Sequence, residues 1–115
     1  MAIERLHIGK RLSEVAVHGN TIYLAGQVAE DSGQDISGQT RQVLAAIDKL
    51  LRESGSDKTK LLQVTIFIAD MQDFSGMNAV WDEWVVAGAT PPRATVEAKL
   101  AKPEWKVEML VVAAR

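Results

Sequence analysis

The sequence predicts an α+β fold with one mixed β-sheet and two helices packed on one of its faces. Two observations lead to this prediction. Six short runs rich in apolar and β-branched residues indicate strands, and two longer stretches with apolar residues at helical spacing indicate amphipathic helices. Their order is strand, strand, strand, helix, strand, helix, strand, strand, which allows both helices to cover one face of a single sheet.

The first part of the chain indicates a meander of three strands. Strands are expected at residues 3–8 and 14–18, and the second meets His18-Gly19-Asn20, whose residues tolerate the backbone angles of a tight turn. A third strand is expected at 21–28. Within it, Gly26-Gln27 indicates a bulge or a close approach of another group to the backbone.

The middle of the chain alternates helices with one strand. Residues 30–38 are polar and contain glycine, which predicts a loop, and a helix is expected at 39–54. Residues 61–69 carry apolar side chains on both faces, as expected of a central strand. Asp73 is a suitable N-cap for a second helix that ends near residue 87. The apolar stripes of the helices are Val43, Leu44, Ile47, Leu50 and Leu51, and then Met77, Val80, Trp81, Trp84 and Val85.

The last two strands are expected to form an antiparallel hairpin. They span residues 93–100 and 105–113, and the short connection 101–104 favours direct pairing. In both strands apolar side chains alternate with mostly polar ones. If the apolar sets of both strands lie under the helices, a register shifted by one residue is excluded, because it would turn one of these sets outward. Arg93 and Glu108 then share the other face of the sheet.

That other face also carries apolar residues. Leu110 and Val112 belong to the same alternating set as Glu108, and Phe67 lies opposite to Ile66 and Ile68 in the central strand. Apolar side chains on a face without helices predict that another subunit covers it.

Composition narrows the class of protein. The chain has 115 residues, 47% hydrophobic and 24% charged, which fits one globular domain over 1–115. The absence of cysteine excludes disulfides and a thiolate nucleophile, and two histidines are a poor supply of ligands for a metal site. The net charge of -2 and the scattered basic residues disfavour nucleic acid as a partner, and no apolar run suits a membrane helix or a leader. We therefore expect a cytoplasmic protein without nucleic-acid or membrane partners.

Arg93 and Glu108 are the strongest candidates for chemistry. Arg93 follows Thr90-Pro91-Pro92, whose stiff backbone can present the guanidinium to a planar carboxylate in bidentate geometry. Glu108 begins an apolar run, where burial would favour the neutral acid and suit general acid-base work near neutral pH. The structural alternative is that Arg93 is a surface charge and that Glu108 pairs with Lys99 or Lys106.

Several segments together resemble a known family. In chain order they are Gly19-Asn20-Thr21-Ile22-Tyr23-Leu24-Ala25-Gly26-Gln27-Val28, Gln39-Thr40-Arg41-Gln42-Val43-Leu44, Thr65-Ile66-Phe67-Ile68-Ala69-Asp70-Met71 with Asp73-Phe74, Met77-Asn78, Pro91-Pro92-Arg93-Ala94-Thr95-Val96-Glu97 and Val107-Glu108. By their order and spacing, the chain resembles the YjgF/Rid family of reactive-intermediate (enamine/imine) deaminases over nearly its whole length.

The resemblance implies a chorismate-mutase-like fold and a homotrimer with three clefts between subunits. It also implies hydrolysis of 2-imino or enamine acids to 2-keto acids and ammonia, without metal or organic cofactor. The family's arginine, which grips the substrate carboxylate, falls on Arg93, and its water-positioning glutamate falls on Glu108. The remaining substrate-binding positions fall on Asn78, Gly26, Ala25 and Thr95.

The chain is similar to this family as a divergent paralogue rather than as its archetype. The best-studied members have a tyrosine near Leu12, a serine at Ala25 and a cysteine at Thr95, so the pocket lining has changed. Two other functions stay open: a module that binds small carboxylates without turnover, and the ribonuclease or translation-inhibitor activity historically attached to this family. The acidic balance and the lack of a histidine pair suited to RNA cleavage argue against the latter.

Overall fold

The computed structural model describes all residues 1–115 and contains two α-helices on one face of a seven-stranded sheet. The strands are β1 (Ile3–Ile8), β2 (Ser13–His18), β3 (Thr21–Leu24), β4 (Gln27–Val28), β5 (Leu61–Ile68), β6 (Arg93–Glu97) and β7 (Val107–Ala114). The helices are α1 (Ile36–Glu53) and α2 (Phe74–Trp84). This is the predicted α+β architecture. Neither helix is long and apolar enough to cross a membrane.

The strand order in the sheet is β1-β2-β3-β7-β5-β6, and β4 also pairs with β7. β1, β2 and β3 form the predicted antiparallel meander. β5 pairs with β6 in parallel and with β7 antiparallel, so the sheet is mixed, as predicted. Val64, Ile66 and Ile68 of β5 are completely buried. The central position predicted for this strand is therefore confirmed.

The predicted hairpin between residues 93–100 and 105–113 is wrong. β6 and β7 do not pair, because β5 lies between them. The reason is that α2 connects β5 to β6 as a crossover helix, which returns the chain parallel to β5 along one edge. The chain must then pass the end of β5 to reach its other edge. Residues 98–106 make that passage, so β6 ends at Glu97 and β7 begins at Val107.

The helix ends depend on local contacts. α1 begins three residues before its predicted start, so the last part of the predicted loop 30–38 is helical. Asp35 occupies the N-cap position, and its side chain accepts a hydrogen bond from the N–H of Gly38 at 2.9 Å. This bond satisfies one of the N–H groups that a helix end leaves free. α2 begins after Asp73, as predicted, but ends at Trp84, before its predicted end.

The core lies between the helices and one face of the sheet. On the sheet side it contains Val15, Val17, Ile22, Val64, Ile66, Ile68, Val107, Met109 and Val111, and on the helix side Val43, Leu44, Ile47, Leu51, Met77, Val80 and Trp81. Trp84 packs against this core, and its ring centroid lies 5.4 Å from that of Trp81. The predicted helix stripes therefore form the helix side of the core.

The other face of the sheet carries no helix, and we call it the open face. It displays Tyr23, Phe67, Val96, Leu110 and Val112, which share one side of their paired strands. Tyr23 is 49% exposed, and Val96 and Leu110 are each 41% exposed. A cluster of large apolar side chains in water has the character of an interaction surface.

Candidate active site

Glu108 lies on β7 with its side chain on the open face. Its neighbours across the two ladders are Phe67 of β5 and Val28 of β4. Val107 and Met109, on either side of it in the chain, are completely buried toward the helices, so the alternation of the strand directs the carboxylate the other way. Glu108 is half-buried in the single chain, so the low-dielectric setting expected from the sequence is only partly formed.

The Glu108 carboxylate fills a notch where the third predicted strand breaks. β3 and β4 are separated by Ala25 and Gly26. A Cβ on Gly26 would overlap Oε2 of Glu108 and lie 3.0 Å from its Cδ, so a side chain there would displace the carboxylate. The Ala25 N–H donates to the Glu14 carbonyl at 2.9 Å, and the buried Gln27 amide donates to the Ala25 carbonyl at 2.9 Å. These bonds hold the break in place, and the close approach predicted at Gly26 is confirmed.

Arg93 begins the edge strand β6 and points toward the helices. Its guanidinium carbon lies 5.2 Å from the centroid of the Trp81 ring on α2, which is a cation–π contact. The preceding loop is held by Val64, whose N–H donates to the Pro92 carbonyl at 3.1 Å. No carboxylate lies within 4.0 Å of the Arg93 nitrogens, so its fork of donors has no anionic partner in the chain.

Two more of the predicted residues lie on the Arg93 side of the sheet. Thr95 pairs with the buried Ile66, which places it on the same face as Arg93, and Asn78 stands about one helical turn before Trp81. Asn78 Oδ1 and Thr95 Oγ1 are both buried without a hydrogen-bond partner. Buried polar atoms are otherwise almost always bonded, so these two offer free hydrogen-bonding capacity.

The predicted common face for Arg93 and Glu108 is wrong. Arg93 pairs with Val64 and Glu108 pairs with Phe67, and these two β5 residues point to opposite faces because an odd number of positions separates them. Val64 and Phe67 are also three residues apart, which at a rise of about 3.3 Å per residue separates them by roughly 10 Å along β5. The two side chains therefore cannot meet around one small ligand within a chain.

The alternation of apolar residues assigned β6 to the wrong orientation because the open face is apolar as well. Ala94 and Val96, which were expected under the helices, pair with Thr65 and Phe67 and lie on the open face instead. Arg93 and its neighbour on the same face stay half-buried at the edge of the sheet. Apolar character alone did not distinguish the two faces of this strand.

The single chain contains no complete cavity for a substrate. A depression of about 260 Å³ is lined by Glu108, Phe67 and residues 98–101, and none of the depressions reaches Arg93. A larger depression of about 560 Å³ lies beside α1 and contains none of the predicted site residues. The alternative pairing of Glu108 with Lys99 or Lys106 is not observed within 4.0 Å. No depression of the single chain contains both Arg93 and Glu108.

Comparison with known proteins identifies the family. The family model described as Endoribonuclease L-PSP matches residues 3–115. A RutC family protein of Haemophilus influenzae is 51% identical over 114 residues, which cover 98% of each chain. The chain therefore belongs to the Endoribonuclease L-PSP family.

Solved structures agree with this assignment. A member of the YjgF protein family from Neisseria meningitidis is 46% identical, with a TM-score of 0.98 over 100% of this chain and 96% of that chain. An uncharacterized protein from Pseudomonas aeruginosa is 51% identical, with a TM-score of 0.97 over 99% of each chain. The YjgF/Rid membership and the chorismate-mutase-like fold expected from the sequence are confirmed.

Sequence reasoning missed the role of one buried polar residue, Gln39. It is completely buried, and its side-chain amide makes four hydrogen bonds. A signal was available, because Gln39 precedes Val43 and Ile47 at intervals of four and so continues the apolar stripe of α1. A polar side chain on such a stripe is costly to bury unless it finds partners.

Proposed function

We propose that this protein hydrolyses 2-imino and enamine acids to 2-keto acids and ammonia, in clefts between the subunits of a homotrimer. The observation that carries the proposal is the placement of Arg93 and Glu108 on opposite faces of one sheet, each without an oppositely charged partner in its own chain. A site that uses both must take Arg93 from one chain and Glu108 from another. Membership of the family, together with the resemblance described above, supports the reaction class.

The Arg93 half suits the carboxylate of such a substrate. A guanidinium binds a carboxylate through two parallel N–H bonds, which sets orientation as well as affinity. The Trp81 ring against the guanidinium belongs to the core, so it limits the directions in which Arg93 can point. The free oxygen of Asn78 can accept a hydrogen bond from an imine N–H, and the Thr95 hydroxyl can bind either partner.

The Glu108 half suits the attacking water. Its carboxylate accepts a proton as the water oxygen bonds to the imine carbon, and it returns that proton to the nitrogen. The hydroxyl proton of the resulting carbinolamine follows the same route as the C–N bond breaks, which releases ammonia and leaves the keto acid. An enamine first takes a proton on carbon from the acid form of Glu108, which gives an iminium ion, and then returns an N–H proton to the carboxylate to become the imine. A positioned general acid-base group typically contributes about 10²- to 10⁴-fold.

The open face supplies the surface for the trimer. Burial of its apolar side chains between chains is favourable by about 25 cal/mol per Å². Three chains related by a rotation bury the same surface three times and close without exposed ends. Because Glu108 lies on the open face, a neighbouring chain that packs on this face also contacts the carboxylate.

Turnover by single variants tests the function. The imine is made in situ by an amino-acid oxidase, and its accelerated loss is measured. Arg93→Ala should abolish turnover, and Arg93→Lys should not restore it fully, because a point charge lacks the bidentate geometry. Glu108→Gln should keep keto-acid binding and lose most of the turnover. Undiminished turnover by a folded, trimeric Arg93→Ala protein would contradict the proposed function.

The altered pocket lining favours one second candidate, a module that binds small carboxylates without turnover. Ala25 and Thr95 occupy positions where the best-studied members of the YjgF/Rid family have serine and cysteine, respectively. The Arg93 half would still bind a keto acid in such a module. An equilibrium titration with keto acids, run beside the turnover assay, separates the two functions.

A further inference from the structure

Gln39 joins three segments of the chain through one side chain. Its Nε2 lies within hydrogen-bond distance of the carbonyls of Ser32 at 3.1 Å, Gln34 at 3.1 Å and Glu104 at 3.0 Å. Because the amide has only two hydrogens, two of these three carbonyls share one of them in a bifurcated bond. Its Oε1 accepts from the N–H of Lys106 at 2.9 Å. The loop before α1, α1 itself and the connection between β6 and β7 thus meet at a completely buried amide.

The bonds to Glu104 and Lys106 imitate a β-ladder. A strand residue uses its N–H and C=O to bond the C=O and N–H of a partner strand, and the Gln39 amide offers the same two groups. The Lys106 carbonyl also accepts from the N–H of Ala69 at 3.0 Å. Lys106 is therefore bonded to α1 through its N–H and to the end of β5 through its carbonyl.

This connection borders the Glu108 half of the site. Residues 98–101 line the depression that contains Glu108. Lys106 lies two positions before Glu108, just ahead of the start of β7. A displacement of the connection would therefore reach both the wall of the depression and the strand that carries the carboxylate.

We propose that Gln39 is a positioning residue that holds residues 98–106 and the start of β7, so that Glu108 meets its substrate in reactive geometry. The kinetic part of this inference rests on the proposed hydrolase function. The structural part rests on the four hydrogen bonds alone. Positioning of this kind matters because a misplacement of about 1 Å can cost about 100-fold in rate.

One variant and one matched control test the inference. Gln39→Leu removes all four bonds at similar volume, whereas Thr40→Val removes only the bond of an equally buried hydroxyl to Ile36 within α1. Trypsin reports on the connection, because it cleaves after Lys99 but resists the Lys102-Pro103 bond. Cleavage of Gln39→Leu after Lys99 should be at least roughly tenfold faster than in the wild type, because the variant loses both bonds to the connection, at Glu104 and Lys106, and one net hydrogen bond is worth about a factor of five. Its kcat should fall at least about tenfold, with one keto acid still bound per chain.

Thr40→Val should match the wild type in cleavage, kcat and binding stoichiometry. An unchanged stoichiometry in Gln39→Leu separates positioning from partial unfolding, in which kcat and stoichiometry fall together, and such a joint fall would overturn the inference. A trimeric Gln39→Leu protein with wild-type kcat and wild-type cleavage would overturn it as well.

If Gln39→Leu does not assemble, amide hydrogen exchange in the wild type decides. The N–H of Lys106 has no backbone acceptor, so its protection must come from Gln39. Slow exchange supports the inference, and exchange at the rate of an open amide overturns it. A wild type without imine turnover would refute the proposed function, while cleavage and exchange would still test the structural part.

Discussion

Two inactive variants should recover turnover when they share one trimer. Arg93→Ala lacks the grip on the carboxylate and Glu108→Gln lacks the base, so neither should turn over imine alone. One chain presents these residues on opposite faces of its sheet, roughly 10 Å apart along β5. A cleft that takes Glu108 from an Arg93→Ala chain and Arg93 from a Glu108→Gln chain therefore contains both intact groups.

The size of the recovery follows from the symmetry of a ring of three. Any trimer that contains both variants has one junction at which the intact Glu108 meets the intact Arg93, so about one third of its clefts are active. In an unsorted equal mixture about one quarter of all clefts are active, because each residue is intact in half of the chains. A site confined to one chain would give no recovery at any mixing ratio.

The assay uses co-expression of the two variants with different affinity tags. Trimers retained by both tags are mixed, and their turnover is compared with that of the wild type at saturating imine. Arg93→Ala combined with the double variant Arg93→Ala/Glu108→Gln is the control, since no cleft in it contains an intact arginine. Verified mixed trimers without turnover would refute the assignment of the two residues to different chains.

Three further predictions concern the notch, the open face and one ion pair. Gly26→Ala places a methyl group against Oε2 of Glu108, so kcat should fall by on the order of 10²-fold while keto-acid affinity changes little; an unchanged kcat would contradict the role of the notch. Leu110→Asp puts a charge on the open face and should shift the mass measured by light scattering from three chains to one, whereas a persistent trimer would place the interface elsewhere. The hydrogen bond from His7 lowers the pKa of Glu53 below its ordinary value of 4.5. Ionised Glu53 therefore stabilises the fold above that pH, and this contribution is lost as the pH falls through the lowered pKa. The urea midpoints of the wild type and Glu53→Gln should differ at about pH 6, and the difference should shrink as the pH is lowered below 4.5; a constant difference would argue against the linkage.

The sequence by itself determined the elements and their buried stripes. Each helix and the central strand must bury one set of side chains, and the spacing of that set is a local property of the chain. Val43 and Ile47 on α1, and Met77 and Trp81 on α2, occupy the core for this reason. The close approach at Gly26 could also be predicted from the sequence, because a glycine inside a strand indicates such an approach whatever the approaching group is.

The ends of the elements depended on single contacts. Asp35 extends α1 beyond its predicted start because its carboxylate bonds the Gly38 N–H. Gln39 then falls inside the first turns of the helix, where its amide finds hydrogen-bond partners in the preceding loop and in the connection between β6 and β7. Those partners lie up to 67 positions away along the chain, so no local pattern could reveal them.

Only the tertiary structure decided which strands are neighbours, and therefore the face on which Arg93 lies. The crossover through α2 places β6 beside β5 and separates it from β7, although the sequence connection between β6 and β7 is short enough to suggest a hairpin. The alternation of β6 predicts that Arg93 and Val96 point to opposite sides, and it does so correctly. It cannot say which side faces the helices, because both faces of this sheet are apolar and either set of side chains could have been the buried one.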